Sequence, residues 1–279
     1  MSVTAYASYC GLCLVQGSLV LLPRAVEGSW PARVRARWPV IVVPAAVLVG
    51  ATFLPPVASA LAGGLSSLAL VAVPPLALLG VAWALRWHDR WLLPVIPLLL
   101  ALAWTASSSP AGQGAALVLV ALSCVALAAL VAAVVPPSIV KIGIVAWAAA
   151  DLSLALAQRL EQASRAITEA SPAVGPLAEL HVQHLQLQRV VLGPATMEYA
   201  DLFLAAVLGA MLAAQSRNRG AASLLVAAVG MSLASLFLVT NVLPATVPVA
   251  VALGLEELRS RGTIGQMSPL RLSSHPVDG

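Results

Sequence analysis

Apolar runs, each about as long as a bilayer core is thick, follow one another along the chain with only short polar interruptions between them. A hydrocarbon layer of roughly 30 Å takes about 20 apolar residues to cross as a helix. Such runs fall at 3–22, 39–59, 65–85, 91–107, 114–135, 138–157, 195–214, 221–240 and 242–258. The pattern predicts nine spans, with eight as the alternative count, because the last two are separated only by a turn within 240–246. Composition excludes a water-soluble reading: of 279 residues 60% are hydrophobic and 9% charged, against about 45–50% and 25% in ordinary globular proteins. With so few charges a soluble surface could not be covered. Disorder is excluded by the apolar content, and a disulfide scaffold by the presence of only three cysteines. The expected fold class is an all-α, multi-pass membrane bundle.

The distribution of cations sets an orientation. The net charge is +4, yet Lys and Arg are scattered between apolar runs and form no nucleic-acid patch. Arg24, Arg33, Arg35 and Arg37 follow the first run, Arg86 and Arg90 the third, and Lys141 lies where the fifth meets the sixth. Arg217 and Arg219 follow the seventh run, and Arg259, Arg261 and Arg271 the ninth. These twelve of the fifteen cations fall on one side of a nine-span alternation. Arg159, Arg165 and Arg189 fall on the other, in one loop that also holds Glu161, Glu169 and Glu179. Cytoplasmic loops carry the excess of Lys and Arg, so the N-terminus is expected outside and the C-terminus in the cytoplasm of a cell (plasma) membrane. The first ten residues hold no Lys or Arg, which points to a retained first helix rather than a signal peptide.

Three regions follow from this reading: a five-helix N-terminal scaffold over 1–135, a four-helix region over 136–258 with a long outer loop at 159–194, and a disordered tail at 259–279. In the loop, 159–170 is polar enough to extend the sixth span, and Ser171, Pro172, Gly175 and Pro176 then interrupt it. Leu185-Gln186-Leu187-Gln188 alternates as a strand would, while an amphipathic helix over 177–192 fits the same residues. Pro55-Pro56, Pro74-Pro75 and Pro136-Pro137 mark kinks or helix ends.

Two charged residues lie well inside the runs: Asp151 in the sixth and Asp201 in the seventh. An Asp near the centre of a membrane helix costs about 2.5–3.5 kcal/mol on insertion scales. It is therefore retained for function or shielded within the bundle. The sixth span runs outward and the seventh inward, so both aspartates are expected roughly 9–10 Å below the outer ends of their helices. Two facing carboxyls in low dielectric hold a single proton between them. Such a pair suits peptide hydrolysis, with one Asp taking a proton from water and the other donating to the scissile carbonyl. It also suits a proton-coupled transporter, or an inactive scaffold in which protonated acids join helices.

Ala150-Asp151-Leu152, Glu198-Tyr199-Ala200-Asp201-Leu202-Phe203 and Pro244-Ala245-Thr246 make the chain similar to the presenilin and signal peptide peptidase group of intramembrane aspartyl proteases. That family has nine spans, an Asp in the sixth and another in the seventh, a long loop between them, and a Pro-Ala-Leu motif opening the ninth. The long loop outside resembles the orientation of signal peptide peptidase and is opposite to that of presenilin. The chain departs from the family where Ala150 stands in place of Tyr, where Glu198 and Ala200 replace both glycines of Gly-x-Gly-Asp, and where Thr246 replaces Leu. The resemblance covers 138–258; over the first 135 residues it is one of span number alone. It implies Asp151 and Asp201 as the catalytic dyad and transmembrane or signal-peptide helices within the bilayer as substrates. It also implies substrate binding by Pro244, Ala245, Thr246 and Ala200, with no cofactor and no metal. Leu187 enters this set through the strand reading of 185–191, which would pair with an unwound substrate by strand addition.

The remaining signals read as packing. Cys10-Gly11-Leu12-Cys13 has redox spacing but lies inside the first span without a thioredoxin-like context. His181, His184 and Glu179 fall short of a metal ligand set. Gln16 and Asn241 read as helix-to-helix hydrogen-bonding groups, and no nucleotide motif is present.

Overall fold

A computed structural model describes residues 3–24, 71–81, 94–168, 187, 189–236 and 245–266. The expected span at 39–59, the residues 169–186 of the outer loop, Pro244, Asn241 and the last thirteen residues lie outside them. Among the described residues the protein is mostly helical, with eight helices and two short strands. They run α1 (Val3–Leu21), α2 (Val71–Val81), α3 (Val95–Thr105), α4 (Pro110–Val134) and α5 (Pro137–Thr168), then β1 (Arg189–Leu192) and β2 (Ala195–Glu198). The last three are α6 (Tyr199–Ala214), α7 (Arg219–Leu236) and α8 (Val247–Gln266). Among them α4, at 25 residues, is the one helix long and apolar enough to cross a membrane by length and composition.

Local chemistry accounts for the helix ends. Ser109 caps α4 by accepting from the Gly112 N–H at 3.1 Å, with Pro110 at the first helical position, where its missing donor costs nothing. Pro136-Pro137 separates α4 from α5 as expected, whereas Pro74-Pro75 is accommodated within α2. The polar stretch 159–168 continues α5, the extension of the sixth run that its composition allows.

Two further expectations are corrected. Residues 195–198 are not the opening of a helix; they form β2, antiparallel to β1, with Arg189 opposite Glu198. Gly193 takes a φ of +58° at the first of two turn positions, and Pro194 cannot follow it into positive φ, which together give a hairpin turn of the II′ kind. Strand therefore wins over the amphipathic helix for 189–192. At the other end, 259–266 is not tail but the continuation of α8. Just before this stretch Glu257 ties α8 to its neighbours, accepting from Lys141 Nζ of α5 at 2.6 Å and from the Arg217 guanidinium in the α6–α7 turn at 2.7 Å.

The core is built around α6. From Leu202 to Leu212 every residue except Phe203 is buried, as expected of a helix that is apolar all round. It packs against α4, α1, α7, α5 and α8, while α1 lies along α7, and α8 packs on α7 and α5. Small residues make these approaches possible. The Ser223 hydroxyl donates to the Gly17 carbonyl at 2.8 Å between α7 and α1. A Cβ on Gly209 would stand 2.3 Å from the Val20 carbonyl oxygen. Large apolar side chains remain on the outside of several helices, among them Leu98, Ile142, Leu224 and Leu258.

Candidate active site

Asp151 and Asp201 reach the same region from adjacent helices. Asp151 lies on α5, about 15 Å by helical rise from Lys141 and hence from the ion pairs on Glu257. Asp201 is the third residue of α6, one turn in rather than deep in a span, because the hairpin occupies the preceding residues. The two helices pack together, and the carboxyls are near enough for their charges to interact. Both side chains are partly buried.

Each carboxyl is held by one oxygen. Asp151 Oδ2 accepts from the Thr246 hydroxyl at 2.6 Å and from the Thr246 backbone N–H at 3.4 Å. The shorter contact is a short O–H···O hydrogen bond. Asp201 Oδ2 accepts from the Glu198 N–H at 3.1 Å, and the Glu198 side chain accepts in return from the Asp201 N–H, completing a capping box. Among the described residues neither Oδ1 has a hydrogen-bonding partner, so each carboxyl keeps one oxygen for water or a carbonyl.

Thr246 is 1% exposed and comes from the turn that opens α8. It thus brings the third sequence motif to the first aspartate. Ala245 beside it is buried, and its carbonyl accepts from Gln16 Nε2 of α1 at 2.7 Å. The same nitrogen reaches the Asp201 carbonyl at 3.3 Å. Ala200 is partly buried at the start of α6, and Leu187 is buried within the hydrophobic core rather than lining an open groove. Tyr199 turns to α4: its hydroxyl is hydrogen-bonded to Ser123 at 3.2 Å and its ring stacks on Phe203. Glu198 acts on Asp201 through the helix cap.

Two links at the aspartates are not legible in the sequence. Thr246, expected among the substrate-binding residues at the position where the family has Leu, is a donor to Asp151. Gln16 was read as helix-to-helix glue, and its partners turn out to be the carbonyls beside both aspartates. Its signal was available, since it is the one amide in α1, a helix that carries no charged residue. Cys10, Cys13 and Cys124 are free thiols. Among the described residues no three His, Cys, Asp or Glu side chains are grouped to hold a metal. No family model, no curated protein and no solved structure matches the chain.

Proposed function

We propose that the protein is a multi-pass intramembrane aspartyl protease similar to the presenilin and signal peptide peptidase group, with Asp151 and Asp201 as the dyad. The observation that carries the reading is the convergence of both aspartates with the Ala245-Thr246 turn, three segments far apart in sequence. The apolar exteriors of α3, α5, α7 and α8 support lipid contact, and α4 supports a membrane span. Lys141 and Arg217 meeting at Glu257, at the end of α5 away from the aspartates, supports the nine-span orientation with those cations in the cytoplasm.

In this reading Asp151, with two donors on Oδ2, carries the negative charge and takes a proton from water through Oδ1. Asp201 holds the proton of the pair and donates it to the scissile carbonyl as the tetrahedral intermediate forms. Thr246 keeps Asp151 oriented throughout. Among the described residues no third strand pairs with the hairpin leading into Asp201, and an unwound substrate helix would add to it as an extended strand. Substrates are transmembrane or signal-peptide helices reaching the site laterally, and water reaches it from the outer face.

Cleavage of a reporter transmembrane peptide by the purified protein in liposomes tests the reading. Wild type is expected to release two fragments cut within the apolar segment. No cleavage across several peptides, together with proton flux through the same liposomes, would replace hydrolysis by transport. A finer test is Thr246→Val, which keeps shape and backbone N–H but removes the hydroxyl. Loss of a hydrogen bond to a charged group is worth about 1.5–3 kcal/mol, so turnover is expected to fall by about 10-fold or more, while Thr246→Ser retains most of it.

A further inference from the structure

We infer that Gln16 is the positioning residue of the dyad, the side chain that fixes the Asp151 and Asp201 units relative to one another. This rests on the proposed dyad and adds to it a residue from the first helix, which lies outside the stretch that resembles the family.

One peptide group links Gln16 to Asp151. The Ala245–Thr246 bond is trans, so its carbonyl and its N–H lie in one plane and point in opposite directions within it. The carbonyl accepts from Gln16 at 2.7 Å, and the N–H donates to Asp151 at 3.4 Å. Rotating that plane would break both bonds at once and carry the Thr246 hydroxyl away from Asp151. Ala245 precedes the α8 helix, whose first carbonyl in use is that of Thr246. Its own carbonyl therefore has no intrahelical partner, and an unpaired carbonyl in an apolar interior costs several kcal/mol. Gln16 supplies the missing donor.

A primary amide has two N–H hydrogens. The second reaches the Asp201 carbonyl at 3.3 Å, on the first turn of α6. One buried side chain, 1% exposed, thus spans the turn that orients Asp151 and the turn that carries Asp201. Gln16 is itself set by close packing, since Gly17 brings α1 against Ser223 and Ala227 of α7.

The test compares kcat and KM per folded molecule for wild type, Gln16→Leu and Gln16→Glu, with Asp151→Asn and Asp201→Asn as references, on the reporter peptide in liposomes. Misplacing a reacting group by about 1 Å costs up to about 100-fold, so Gln16→Leu is expected to lower kcat by about 10- to 100-fold. KM should stay within about twofold, because uniform binding is untouched. A buried Glu in its neutral form keeps one donor, so Gln16→Glu is expected to recover activity to about 3- to 10-fold below wild type, the worth of one hydrogen bond. A purely structural role would lower the yield of folded protein and leave kcat of the folded fraction unchanged. Wild-type kcat in folded Gln16→Leu overturns the inference; if that variant does not fold, wild-type kcat in Gln16→Glu overturns it. In both cases loss of cleavage in the aspartate variants leaves the dyad standing. Cleavage that survives Asp151→Asn or Asp201→Asn, or its absence from wild type, overturns the dyad and this inference together.

Discussion

Asp151→Asn and Asp201→Asn are each expected to lower cleavage of a transmembrane reporter by about 100- to 10,000-fold, the range associated with loss of a general acid or base. The substitution is chosen because it spares the local structure. An asparagine at 151 keeps an oxygen that can accept from the Thr246 hydroxyl and N–H, which now hold Oδ2 at 2.6 and 3.4 Å. An asparagine at 201 keeps the acceptor for the Glu198 N–H, so the cap of α6 survives. An amide can neither take a proton from water nor give one to a carbonyl near neutral pH. The two single variants and the double variant should be about equally impaired, because residues acting as a unit do not add. The measurement is fragment release per mole of folded protein, with melting in detergent checking the fold. Cleavage persisting in either single variant would remove these carboxyls from the mechanism.

The second large effect is on stability. Gly209→Leu is expected to prevent α1 from seating on α6, and Gly209→Ala to weaken the contact measurably. A Cβ at Gly209 would stand 2.3 Å from the Val20 carbonyl oxygen and 2.7 Å from its carbon. The obstructing atoms are backbone, so they cannot rotate aside, and one helix must move. Overpacking of this kind costs about 1–3 kcal/mol for a small increment and more for a large one. Since Gln16 and Val20 are on the same helix, displacing α1 also draws the Gln16 amide away from Ala245 and Asp201. Melting in detergent should fall in the order glycine, alanine, leucine, with cleavage lost at leucine. Wild-type melting for Gly209→Leu would mean that α1 and α6 do not meet as described. Gly143, where a Cβ meets nothing within 4 Å, serves as the control position.

Much of the helical architecture was legible from local pattern. The runs at 3–22, 114–135 and 138–157 correspond to α1, α4 and α5 at most ends, because an apolar run and a helix-stopping Pro pair act over a few residues. Where the reading went astray, non-local contacts had the deciding influence. The opening of α6 was misplaced because 195–198 is apolar enough for a helix, and only pairing with 189–192 makes it a strand. The extent of α8 was missed because 259–266 is too polar to continue the apolar run, yet the helix carries on through it. Leu187, expected to face a substrate, is instead in the core.

The candidate site divides in the same way. The sequence alone determined that most of the chain is apolar helix and that Gln16, Asp151 and Asp201 are polar groups inside it, since the cost of placing such groups in an apolar run is a property of the residue and its neighbours. Which of them meet was decided only by the tertiary structure. Thr246 and Asp151 are 95 residues apart, and Gln16 and Ala245 are 229 apart. No periodicity operates over such distances. A buried donor must find an acceptor wherever packing brings one within reach, and that packing was fixed by glycine contacts between helices that the sequence, read one segment at a time, leaves unpaired.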